Sequence, residues 1–186
     1  MQPKTKEKAY KQMLWISMIS MTMMFAGLTS AYVVSKKRED WVGFDLPNAF
    51  YISTILIILS SITFYLAKYY IKQNKKSKTS IFLAFTLLLG LGFVYFQFQG
   101  FKYLVDVGLY FTGTQSNVSS SFLYVITLAH LFHIFAGILV LCYVLYKSLK
   151  GKYSSENSLG LELAAIFWHF VDALWIYLFL FFYFIG

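Results

Sequence analysis

The sequence predicts an all-α fold: a polytopic membrane bundle of five transmembrane helices. Three observations lead there. Of its 186 residues, 59% are apolar and 21% aromatic, only 13% are charged, and the mean hydropathy is +0.62, whereas soluble domains carry about 25% charged residues. The apolar residues gather into five runs separated by short polar segments, each run long enough for the roughly 20 residues that cross about 30 Å of hydrocarbon. Only two prolines occur, Pro3 in the tail and Pro47 at the head of a run, where a missing N–H costs nothing. Unbroken helices packed as a bundle satisfy their backbone groups without water. This composition excludes a disordered, collagenous or disulfide-stapled chain.

The first span is Gln12–Ser35. Lys4, Lys6, Lys8 and Lys11 precede it, and Thr29-Ser30-Ala31 offers small residues for cleavage. The apolar run is longer than the 7–15 residues of a signal core, so the expectation is a retained helix. Pro47–Tyr70 is the second span, Ser80–Tyr103 the third, Ser119–Lys147 the fourth and Leu159–Ile185 the fifth. The intervening segments are too short for a soluble module, and residues 1–186 read as one membrane domain without a nucleotide loop or internal repeat. Ser17, Ser20 and Gly27, like Gly90 and Gly92, are small residues suited to close helix approach. Trp15, Trp41 and Tyr153 stand where aromatic belts form.

The formal charge of +8 would invite a nucleic-acid reading in a soluble protein. Here the basic residues crowd into the gaps between apolar runs, which points to lipid headgroups and no nucleic acid. The N-terminal tail, second loop and fourth loop share one side and hold Lys4, Lys6, Lys8, Lys11, Lys68, Lys72, Lys75, Lys76, Lys78, Lys147, Lys150 and Lys152. The other side holds Lys36, Lys37, Arg38 and Lys102, so twelve basic residues oppose four. Positive charge stays inside. The expected topology therefore has a cytoplasmic N-terminus and a periplasmic C-terminus. Cys142 is the only cysteine, which rules out an intrachain bridge and a CxxC zinc site.

Polar residues inside the spans carry the chemistry, because an unpaired ionisable group in hydrocarbon is costly and normally turns to the bundle interior. These are His130 and His133 in the fourth span and Glu162, His169 and Asp172 in the fifth, with Gln99 of the third as a neutral companion. At 100° per residue Glu162 and His169 fall on nearly one line, about 700° apart, and Asp172 lies on the adjoining face. The fourth and fifth spans run antiparallel, and His133 and Asp172 both sit about 20 Å from the inner ends of their helices. They are expected to meet at mid-membrane, with Glu162 nearer the cytoplasmic face. Four readings are open: a metal site with N and O ligands, bis-histidine haem ligation by His133 and His169, a proton relay, or a hydrogen-bonded plug that fixes helix packing. The residues lack HExxH or ExxH spacing. A row of Met18, Met21 and Met24 would suit Cu(I), but methionine is ordinarily a gap-filler in lipid or at helix contacts, and that is the expectation here.

The block WHFVDALW (Trp168–Trp175) resembles the signature of subunit III of the haem-copper terminal oxidases, the cytochrome c oxidase family. Glu162 with Ala164-Ala165 stands where the family has E-x-A-A, and TLAHLFHIFAG (Thr127–Gly137) is similar to its T-G-x-H-G-x-H-x-x-x-G helix. Gln99, the pattern Thr54…Ser60-Ser61…Ala67, and Phe25-Ala26-Gly27-Leu28…Tyr32 extend the likeness over nearly the whole chain. The resemblance is to the short five-span bacterial form. It implies a non-catalytic subunit of an inner-membrane respiratory oxidase that reduces oxygen to water and pumps protons. It also implies no catalytic residue, metal or redox cofactor in this chain, with haems and copper in partner subunits, chiefly subunit I. A cleft between two helix groups would hold phospholipid, and the subunit would support proton uptake. By the same resemblance Trp168, His169, Asp172, His130, His133, Glu162 and Gln99 form the structural, lipid-cleft cluster. A quinol oxidase subunit III, an accessory protein of nitric oxide reductase, a self-sufficient metal or haem protein and a small transporter are the alternatives, and a respiratory supercomplex is a further conceivable setting.

Four positions depart from the family pattern. Met21 follows Ser20 where an acidic residue is usual, Lys102 replaces a glutamate, and Leu128 and Leu131 replace glycines beside His130. The first of these removes the carboxylate that a proton-antenna role would use.

Overall fold

The computed structural model describes residues 3–38, 41, 43, 46–113, 117–155 and 157–186. They form α1 (Pro3–Ser35), α2 (Asn48–Lys72), α3 (Lys76–Asp106), α4 (Val118–Leu149) and α5 (Leu159–Ile185). All five helices are long and apolar enough to cross a membrane, and no strand occurs among the described residues. The fifth has the expected bounds. The others overrun them, most of all α1, because Lys- and Glu-rich sequence is a good helix former that water and headgroups accept even where hydrocarbon does not.

Sharp turns follow α2, α3 and α4. After α2, the Lys75 N–H reaches the Tyr70 carbonyl at 3.1 Å and the Asn74 N–H the Ile71 carbonyl at 2.9 Å, with Asn74 at φ 60°. This is a Schellman ending, in which a residue in the left-handed region satisfies the last carbonyls. Gly108 (φ 85°) and Gly151 (φ 66°) close α3 and α4 with the same pair of bonds, and both are glycines because a side chain at those angles is strained.

The buried stripes alternate steps of three and four residues. On α2 they run Phe50, Ser53, Ile57, Ser60, Phe64, Ala67, Ile71, and on α3 Thr79, Leu83, Thr86, Gly90, Phe93, Gln97, Gly100, Leu104. The α4 stripe includes Leu123, Thr127, His130, Ile134, Gly137, Leu141 and Val144, and α5 repeats Leu161, Trp168, Trp175 and Phe182. A heptad repeat of this kind imposes left-handed, knobs-into-holes packing. On α2 one register holds bulky residues and the other Ser53, Ser60 and Ala67, so large side chains of a neighbour find small seats.

Packing closes into a ring: α2 lies on α3, α3 on α4, α4 on α5 and α5 back on α2. The first helix stands outside it and touches α4 and α5 through Met18, Met21, Phe25, Thr29 and Tyr32. Tyr32 is caged edge-on by Trp41, Phe122, Phe181 and Phe182. The division into two helix groups that the resemblance implies is therefore not found among the described residues. Four heptad stripes close on one another, and α1 is left with one edge of that ring to lean on. Met18 and Met21 are buried, whereas Met24 is 42% exposed. The methionine row thus splits between core and surface and does not present three sulfurs to one ion.

Candidate functional site

Trp168 occupies the centre of the ring. Its indole N–H donates to Ser60 Oγ on α2 at 3.0 Å. The tip of its ring passes Gly90 of α3 so closely that a Cβ there would lie 2.8 Å from Cη2, and a Cβ on Gly137 of α4 would lie 3.2 Å from Cε3. One tryptophan from α5 thereby touches the other three helices of the ring. One heptad later Trp175 repeats the arrangement, with its N–H on Thr54 Oγ1 at 3.0 Å and its ring against Phe50, Phe93 and His130.

His130 is fully buried. Its Nε2 lies 3.2 Å from the Val171 carbonyl, which can only accept, so Nε2 carries the proton and crosses the α4–α5 seam. Nδ1 has no partner among the described residues. His133 points elsewhere: its Nδ1 donates to its own helix at Ala129 O, 2.7 Å, and its ring meets Phe25 of α1 edge-on at 5.8 Å. His169 turns toward α2, with Nδ1 2.5 Å from Ser61 Oγ and Phe64 beside the ring. Asp172 is 2% exposed, and neither carboxyl oxygen has a hydrogen-bond partner among the described residues. Ser61 is the neighbouring hydroxyl. Glu162 sits near the start of α5, its Oε2 3.4 Å from Lys11 Nζ on α1 and its Oε1 accepting from Ser158 Oγ at 3.4 Å. Lys11 also holds Glu7 at 2.7 Å.

The expected meeting of His133 with Asp172 does not occur. Residues three apart on a helix diverge by about 60°, enough to send His130 to α5 and His133 to α1, whereas His169 and Asp172 both stay on the side that faces α2. The described residues contain no group of three His, Cys, Asp or Glu able to hold a metal, and His133 and His169 face different neighbours. Gln99 also differs from expectation: it is exposed, and its Nε2 donates to Tyr95 Oη at 3.0 Å on its own helix. The interior glutamine is Gln97, fully buried, donating to Ser53 Oγ at 2.9 Å. Spacing carries the signal for it, because Gln97 stands one heptad after Gly90 and Gln99 stands off the stripe.

Hydrogen bonds cross the remaining seams as well. Thr63 pairs with Thr86 at 2.8 Å, Ser80 with Ser148 at 2.8 Å and Thr29 with Tyr177 at 3.0 Å. The geometry is that of a distributed inter-helix network rather than one cluster.

The family model described as cytochrome c oxidase subunit III matches residues 5–186. The chain belongs to the cytochrome c oxidase subunit III family. It is 32% identical to cytochrome c oxidase subunit 3 of Thermostichus vulcanus, over 89% of this chain and 82% of that protein. It is 27% identical to cytochrome c oxidase subunit 3 of Bacillus sp. strain PS3, over 92% and 84%. A probable quinol oxidase subunit 3 of Staphylococcus saprophyticus is 29% identical, over 92% and 87%. With five spanning helices, this subunit III chain is a multi-pass membrane protein. The departures from the family pattern have local explanations. Lys102 lies on an exposed face, Leu128 and Leu131 line the groove between α3 and α4 beside Leu91, Val94 and Phe98, and Met21 packs in the core.

Proposed function

We propose that this chain is a non-catalytic subunit of an inner-membrane terminal oxidase, seated beside the haem- and copper-bearing subunit I and other oxidase subunits, which it stabilises during turnover. The family match over residues 5–186 carries this reading. Mid-membrane polar groups spent on joining helices, rather than gathered around a cofactor, support it. The N-terminus is cytoplasmic on the excess of basic residues beside that end, and on this side the subunit supports proton uptake into its partner. Phospholipid is held in a groove of about 390 Å³ between α1, α4 and α5, where Lys147 and Tyr153 form a polar mouth above Leu163, Phe167 and Val140. A cation and a phenol there suit a phosphate headgroup, and the apolar wall suits acyl chain.

Extraction in mild detergent, followed by identification of co-purifying chains, tests this. A haem- and copper-containing many-span partner in equal amount is the expected result. A lone chain, or one with its own Soret band, would overturn the proposal. The Staphylococcus relative, named as a quinol oxidase subunit, favours a second reading in which the complex takes electrons from quinol. Oxidation of reduced cytochrome c against a soluble quinol by the same preparation separates the two.

A further inference from the structure

We infer that the outward-facing groove between α2 and α5 is a binding site for an uncharged, lipid-borne molecule with a hydroxyl-bearing head. The groove encloses about 520 Å³, within the range of small-molecule sites. Ile58, Tyr65 and Ala173 flank it on the exposed surface of the bundle, and Ser61, His169 and Asp172 form its polar floor. This assignment does not depend on the oxidase reading and lies on a different face from the groove at Lys147.

The floor sets the ligand's chemistry. Asp172 is buried, and both of its carboxyl oxygens lack partners, an arrangement hydrocarbon penalises heavily. Ser61 Oγ, the nearest hydroxyl, also meets His169 Nδ1 and has a single proton to give, so at least one carboxyl oxygen keeps a place for something else. A carboxylate needs a donor, whereas a carboxylic acid needs a donor at one oxygen and an acceptor at the other. A hydroxyl supplies both.

Depth sets the rest. His169 and Asp172 follow Leu159 by ten and thirteen residues, about 15–20 Å along the helix, which places the floor near the bilayer centre. A phosphate or ammonium headgroup stays at the interface, and a phosphate would also meet a carboxyl without an intervening cation. A neutral head on an apolar tail satisfies depth, charge and hydrogen bonding together. Two kinds of molecule have that chemistry: a lipid-soluble hydroquinone and a neutral glyceride.

Photolabelling of the full chain in its native membrane tests the site, with an aryl-azide decylhydroquinone in one arm and a diazirine-bearing dioctanoylglycerol in the other. Saturable labelling that maps to Ile58–Tyr65 or Ala173–Ile176 supports the site, and the productive arm identifies the source. Ala173→Trp fills the groove from an exposed position without touching the core and lowers labelling about tenfold, as does Asp172→Leu, while Asp172→Asn, which keeps a donor and an acceptor, stays within about threefold. Absence of saturable labelling in both arms, whether because water fills the groove or because a partner helix covers it, overturns the inference. So does labelling that Ala173→Trp leaves undiminished.

Discussion

Trp168 joins four helices, and substituting each of its contacts in turn yields a ranked series. Trp168→Ala removes a large side chain with 1% exposure and leaves a cavity in the middle of the ring, a change that costs about 3–5 kcal/mol. Ser60→Ala removes only the acceptor at 3.0 Å, and inter-helix hydrogen bonds in membranes average about 0.6 kcal/mol. Gly90→Ala places a Cβ 2.8 Å from Cη2 and 3.0 Å from Cζ2 of the indole. The ring has little room to swing away, because its other edge packs so near Gly137 of α4 that even a Cβ there would lie 3.2 Å from Cε3. The overlap therefore becomes strain of about 1–3 kcal/mol. Gly27→Ala is the control: no atom lies within 4 Å of the added methyl, and alanine gains up to about 1 kcal/mol of helix propensity. In Trp168→Phe the smaller ring vacates the space beside Gly90, so the pair Gly90→Ala with Trp168→Phe costs less than the sum of its parts, with a coupling of about 0.5–3 kcal/mol. Unfolding by SDS from a mild detergent, followed by circular dichroism, measures all six variants. Equal stability of Gly90→Ala and Gly27→Ala, or strict additivity in the double variant, would refute the clasp.

Gly100→Ala drives a Cβ into the Phe50 ring at Cε1 inside the α2–α3 contact. It should destabilise at least as much as Gly90→Ala in the same titration, and Phe50→Leu should restore part of the loss. Ser53→Ala strands the buried Gln97 amide, whose Nε2 it accepts at 2.9 Å, at a cost of about 1–3 kcal/mol. Gln99→Ala, on the exposed face, should be nearly silent, and the reverse order in SDS unfolding would misplace the interior face of α3. Burial raises the Tyr153 phenol above its ordinary 10.0, so the folded state holds that proton more tightly than the unfolded one. Its contribution is complete below pH 10 and declines as pH rises beyond. The melting temperature should fall more steeply above pH 10 in the parent than in Tyr153→Phe.

Hydropathy made the five spans legible, because a stretch long enough to cross hydrocarbon has few other fates. The helix ends were less so, since Lys72, Asp106 and Leu149 prolong helices beyond the apolar limit, and propensity rather than lipid decides there. Depth along each helix was also readable, as for Glu162 near one end and Asp172 at the middle. Azimuth was not. Whether His133 faces α5 or α1 depends on which helices are neighbours, and two residues of difference between Gln97 and Gln99 amount to about 200° of rotation. The heptad spacing that sorts them was present in the sequence, in Thr79, Thr86, Phe93 and Gly100. The tryptophan clasp needed the ring itself, because Gly90, Gly137 and Ser60 lie on three different helices and nothing local ties them to Trp168.

The position of α1 has a consequence for biosynthesis. Translation delivers this helix before the other four, yet its docking surfaces on α4 and α5 follow only after α2 and α3, and its bond from Thr29 to Tyr177 spans 148 residues. Until then it must reside in the bilayer unaccompanied. It is equipped to wait: the Thr22 and Thr29 hydroxyls donate back to the Met18 and Phe25 carbonyls of the same helix, so a newborn span exposes few unmet polar groups to lipid before its companions arrive.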